Sequence, residues 1–259
     1  MTRSVSASAI ALASRSAVAQ AGGPAPREFY ELRKYKLQNG AQTGLAQGYF
    51  ADALIPGLNR LGFSPVGAFS LEYGPETPAY YVLVPGMSVE ALVTSDLELA
   101  KDAAFLKAAA PFWSAPAAQP PFVRIESSLM QAFEGRPKLT LPPASAPRGG
   151  RMFQLRTYES PTNAAHVRKV EMFNSGEYEI FERAGFWPVF YGDTLIGPQL
   201  PQLTYMLSFT SLADMTARWS AFTSDPAWKK LSSDPRYAAE SIVSSITNLV
   251  LSPLACSQI

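Results

Sequence analysis

Arginine and tyrosine recur two residues apart at two places in this chain, in Glu31-Leu32-Arg33-Lys34-Tyr35 and in Gln154-Leu155-Arg156-Thr157-Tyr158. Residues two apart on a strand share a face, so each guanidinium would sit beside a phenol. Such a pair can clamp a carboxylate or an enolate, with arginine as the bidentate donor. The alternative, preferred here, is structural: Arg33 pairs with Glu31 or a helix carbonyl, and Tyr35 fills the core with its hydroxyl satisfied at the edge. The acid is present only in the first copy. His166, the one histidine, stands near Asn163 and Arg168 at a helix start, where it could act as a general base or a single axial ligand. A solvated first-turn histidine is the simpler reading. Arg156, Tyr158 and His166 are thus the candidate catalytic residues, with Asp193 and Glu72 as other candidate bases. Arg33, Tyr35, Arg156, Tyr158, Trp187 and Tyr191 are the candidate ligand-binding ones. With Phe69, Tyr73, Tyr80, Tyr81, Phe190 and Tyr205 there are aromatic rings enough to line a pocket, or equally to fill a core.

The elements that must position these residues also come twice. At one offset of 123 residues, Gly62-Phe63 maps onto Gly185-Phe186, Pro65-Val66 onto Pro188-Val189, Gly74-Pro75 onto Gly197-Pro198, and Asp102 onto Asp225. This is the signature of a duplicated module of roughly 110 residues. In the first copy, period-two alternation predicts a strand at 28–37, and a three-to-four spacing predicts a helix over 43–61, kinked at Pro56 and ended by Gly62. Strands follow at 63–73 and 79–84, a helix capped by Ser88 over 89–101 with a further piece near 103–109, and a last strand at 122–133. The second copy repeats this order: a strand at 151–158, a helix over 166–184 with Val167, Val170, Phe173, Ile180 and Phe181 on its apolar side, strands at 186–196 and 203–209, helical segments at 211–222 and 226–231, and a strand at 242–251. The chain therefore divides into a leader at 1–27, a first module at 28–135, a proline-rich linker at 136–150 and a second module at 151–259. Two four-stranded sheets, each with both helices on one face, can pack sheet to sheet and bury their open faces.

Composition closes off several classes of function. A net charge of +1 without a basic cluster gives no footprint for nucleic acid. No run of about 18 apolar residues occurs, so no membrane span is expected. The one cysteine, Cys256, excludes a disulfide within the chain, and the single histidine argues against a metal or haem site in both modules. No phosphate loop, CxxC site, nucleotide fingerprint or serine nucleophile elbow is present, so no cofactor is expected, ATP, nicotinamide and structural zinc included. The first 27 residues hold three arginines and no acid, with Ala17-Val18-Ala19 or Ala19-Gln20-Ala21 as a cleavage site. They read as an export signal to the periplasm or outside. A mitochondrial presequence or a disordered cytoplasmic extension is the alternative.

Tyr30-Glu31-Leu32-Arg33-x-Tyr35, the Leu61-Gly62-Phe63 helix exit and Asp225-Pro226-Ala227-Trp228 together resemble the NIPSNAP domain, here in two copies over about 27–135 and 150–253. The resemblance implies an α+β fold of the dimeric α/β-barrel group: two tandem ferredoxin-like (βαββαβ) modules meeting as a pseudo-dimer within one chain, with a further homodimer open. It carries no agreed chemistry. The expected role is therefore binding of a small hydrophobic or aromatic ligand, or protein interaction. The rival is a cofactor-independent monooxygenase or isomerase acting on an aromatic or enolisable molecule.

Overall fold

The computed structural model describes residues 25–143 and 151–259. The expected leader lies almost wholly outside them, and the expected linker is described only to residue 143. Each module runs strand, helix, two strands, helices, strand. The first comprises β1 (Phe29–Lys36), α1 (Ala41–Tyr49), α2 (Ile55–Arg60), β2 (Gly67–Tyr73), β3 (Ala79–Gly86), α3 (Val89–Val93), α4 (Ser95–Leu99), α5 (Ala103–Trp113) and β4 (Arg124–Ala132). The second comprises β5 (Met152–Glu159), α6 (Asn163–Met172), α7 (Tyr178–Arg183), β6 (Trp187–Ile196), β7 (Gln202–Phe209), α8 (Leu212–Ser224), α9 (Pro226–Ser232), α10 (Ala239–Ile242) and β8 (Ser245–Pro253).

The eight strands form one closed barrel in the order β1-β3-β2-β8-β5-β7-β6-β4. The open faces of the two sheets bury each other, as expected. They do so by joining edges, β2 to β8 and β4 to β6, both antiparallel, and not by stacking as a sandwich. Closure leaves no unpaired strand edge. The alternation of β1 then has a plain meaning. Tyr30 points into the barrel with Phe153, Met206 and Leu251 of the second module, whereas Tyr35 faces the helices with Phe50, Leu58 and Phe105. An equivalent outer core in the second module holds Tyr158, Phe173, Tyr205 and Phe222.

The first helix of each module is interrupted at the same place. A π-helical turn spans Phe50–Leu54 just before Pro56, which widens the helix where the proline supplies no amide hydrogen. The second module breaks over Phe173–Glu177, where Gly176 adopts φ 122°. No break was expected from its sequence. Asp102 and Asp225 each cap a helix, accepting from Ala104 and Ala227 N–H respectively. Arg60 and Arg183 bind the same two carboxylates and hold them below the usual range. The expected helix at 89–101 is divided at Thr94, whose hydroxyl donates to the Glu90 carbonyl at 2.6 Å beside its own N–H. The last strand starts later than expected, at Ser245, because residues 239–242 are helical.

Because one barrel core is shared, the two modules should unfold together. Phe153, fully buried, packs edge-on against Phe69 of the other module at 4.9 Å between ring centroids. Phe153→Ala should cost about 3–5 kcal/mol. Urea denaturation should show a single transition moved to lower concentration; a split into two transitions would show independent halves.

Candidate functional site

Both Arg-x-Tyr pairs lie on the helix-facing side of the barrel, each opening into a cleft between sheet and helices. The cleft of the first module has a volume of about 360 Å³ and that of the second about 570 Å³. Their electrostatics differ. In the first module Arg33 Nη1 donates to Asp96 at 2.8 Å, and Nη2 donates to Glu31 at 2.9 Å and to Ser95 Oγ at 2.9 Å. Arg33 is 5% exposed. Its charge is therefore neutralised inside the fold, and the structural reading holds for this copy. Burial pushes the Tyr35 phenol up to about 12, with the neighbouring Arg33 acting in the opposite direction.

At the 123-residue offset, both acids that hold Arg33 are gone. Gln154 stands in the place of Glu31, and Trp219 in that of Asp96. The two replacements bind each other: Trp219 Nε1 donates to Gln154 Oε1 at 2.7 Å, and the indole lies 4.4 Å from the Arg156 guanidinium carbon. Arg156 Nη2 donates to Tyr158 Oη at 2.7 Å. Among the described residues no carboxylate lies within ion-pair reach of Arg156, though Glu240 stands exposed at the rim of the cleft. Burial disfavours the charge of Arg156, but the Tyr205 and Tyr158 oxygens offset it and the pKa is raised, so the cation persists.

Three further substitutions place polar groups at the second cleft. Lys169 and Glu177 form a buried ion pair at 2.8 Å where the first module has Ala46 and Leu54. The ammonium also lies 5.3 Å from the Tyr158 ring centroid and 4.4 Å from that of Phe173. Tyr205 replaces Val82 and places its hydroxyl 3.1 Å from that of Tyr158. Phe222, Trp228, Ile242 and Val243 supply an apolar part of the remaining wall, and Thr223, Ser232, Ser244 and Ser245 add small polar groups.

The structure brings Arg156 and Tyr158 together and separates the other candidates. His166 is buried, not solvated as expected, with Nε2 2.7 Å from Asp193 Oδ1 on β6; it does not line the cleft. Its burial follows from the rotation of α6, whose inward stripe is Ala165, His166, Lys169 and Met172, leaving Val167, expected inside, 63% exposed. Trp187 and Tyr191 line a different cavity of about 500 Å³ with Arg136 and Lys138. Glu72 is exposed and accepts from Ser70 at 2.7 Å. Sequence reasoning missed Lys169, Glu177 and Trp219 as parts of the cleft. The available signal was that Glu31 and Asp96 both lose their charge at the repeat offset beside a retained arginine.

The model of the NIPSNAP family matches residues 153–258. No curated protein matches the chain. Among solved structures, a candidate monooxygenase from Fusobacterium nucleatum aligns with a TM-score of 0.58 at 9% identity, over 89% of this chain and 94% of its own. A second candidate monooxygenase, from Lactobacillus acidophilus, aligns with a TM-score of 0.55 at 9% identity, over 88% and 94%. A NIPSNAP family protein from Agrobacterium tumefaciens is 22% identical over 42% of this chain and 98% of its own, with a TM-score of 0.38. The two nearly full-length alignments show the fold alone, a dimeric α/β barrel built here within one chain.

The two arginines should respond oppositely to the same substitution. Arg33→Gln strands the largely buried Glu31 carboxylate and should cost about 3 kcal/mol or more. Arg156→Gln strands no acid and should cost about 1 kcal/mol or less. Urea midpoints of the two variants decide it, and a reversed order would make Arg156 the structural member of the pair.

Proposed function

With residues 153–258 matched by the model of the NIPSNAP family, we propose that the protein binds a small molecule in the cleft of the second module, and that the first module is its structural counterpart. The observation that carries this reading is the contrast between the arginines: Arg33 is held by two acids and a serine, whereas Arg156 is left facing a larger, partly apolar cleft. A cavity of this size, with aromatic and aliphatic wall and polar groups beside Arg156, suits a small organic ligand. The fold keeps Arg156 charged through a phenol and an indole without giving it a carboxylate, which supports a use in binding.

The rival reading is a cofactor-independent monooxygenase or isomerase on an aromatic or enolisable substrate. The likeness to candidate monooxygenases bears on fold only, and of the residues this reading would employ, Arg156 and Tyr158 line the cleft while His166 does not. The binding reading asks less of the site.

Native mass spectrometry of the purified full chain tests it and reports any homodimer in the same spectrum. The expected result is a small mass retained in the native state and lost on denaturation, absent from Arg156→Gln and kept by Trp113→Leu in the first cleft. Loss from both variants alike would refute the assignment to the second module. A ligand-free spectrum, with no shift in thermal midpoint across a panel of small apolar acids and neutral aromatics, would remove the binding reading altogether.

A further inference from the structure

The hydrogen-bond directions around Tyr158 say what the cleft offers a ligand. Arginine only donates, so at 2.7 Å Tyr158 Oη accepts from Arg156. Tyr205 is fully buried, and burial, followed by the neighbouring Tyr158, pushes its phenol well up. It keeps its hydrogen at any ordinary pH. The hydroxyl of Tyr158 lies 3.1 Å from its own. Were Tyr158 the donor in that contact, the Tyr205 hydrogen would be buried without an acceptor, an arrangement folded proteins avoid. Tyr205 therefore donates to Tyr158. Both lone pairs of Tyr158 Oη are then engaged from within the protein, and its own hydrogen is free for the cleft that Tyr158 lines.

We propose that Tyr158 presents this hydrogen to the ligand beside the Arg156 guanidinium, and that the ligand is an aromatic carboxylate. The proposal rests on the small-molecule reading of the same cleft. A carboxylate supplies acceptor oxygens for both groups and the negative charge that Arg156 lacks. The nearby Lys169 is neutralised by Glu177 and leaves the excess charge of the inner cleft at that of Arg156. The apolar body of the ligand then lies against Phe222, Trp228, Ile242 and Val243. An ammonium in the same place would meet the Tyr158 hydrogen and the Arg156 cation, with the nearest inner carboxylate, Glu177, already paired with Lys169.

Isothermal titration of the full chain with 1-naphthoate and with protonated 1-naphthylmethylamine, which share one ring system, tests this. The acid should bind at one site per chain, and the amine should bind at least about tenfold more weakly, the range expected for hydrogen bonds to a charged group. Tyr158→Phe, with folding checked by its urea midpoint, should weaken the acid about tenfold, and Arg156→Gln should weaken it further. Equal binding of acid and amine would overturn the proposal while leaving a small-molecule cleft in place. So would undiminished acid binding by folded Tyr158→Phe, or no acid binding at millimolar concentration. Should Tyr158→Phe not fold, the acid-to-amine comparison on the unaltered chain decides alone.

Discussion

Everything in this molecule depends on the joining of two sheet edges. Each module is a four-stranded sheet with helices on one face, and alone it would expose an apolar face and two strand edges. Pairing β2 with β8 and β4 with β6 removes both liabilities at once, since every edge strand gains a partner and the two apolar faces become one barrel interior. The clefts are a by-product of this division. The middle of the inner face is taken up by the shared apolar core, so the Arg-x-Tyr pairs lie on the outer face, roofed by helices.

On that outer face the modules differ at a few positions with a common sense. The first retains Glu31 and Asp96 around Arg33 and apolar Ala46, Leu54 and Val82 behind them. The second has Gln154 and Trp219 around Arg156, with Lys169, Glu177 and Tyr205 behind. One set produces a closed ion-pair cluster. The other produces a cation held by an indole and a phenol and open to the cleft. The interruption of the first helix is part of the same arrangement, because Glu177 lies at the end of the broken segment and there meets Lys169, eight residues back.

Much of this was legible in the sequence. The constant offset between copies marks two modules, and strand alternation assigns Arg33 and Tyr35, and Arg156 and Tyr158, to a common face. What could not be read was set by partners distant in sequence. Nothing in Glu31-Leu32-Arg33 says that Asp96 completes the pair, since that depends on α4 reaching over the sheet. Val170, Phe173, Ile180 and Phe181 pack inward as expected, but His166 and Lys169 join them and Val167 is left outside, because periodicity counts apolar residues and cannot foresee that a lysine is buried with a glutamate to meet it. The break at Gly176 was hidden for a similar reason: a glycine inside a helical pattern shows tolerance of a left-handed backbone, and only the packed structure uses it.

Carrying both modules on one polypeptide has a consequence for evolution and for binding alike. In a barrel made by two identical chains, any substitution appears in both clefts, so an arginine freed in one is freed in the other and its folding penalty is doubled. A covalent pair escapes that coupling: one half can remain locked and stabilise the barrel while the other specialises. A ligand of the second cleft, if bound as proposed, would then occupy a single place per polypeptide, because the symmetry that would give two equal sites is broken in the primary structure itself.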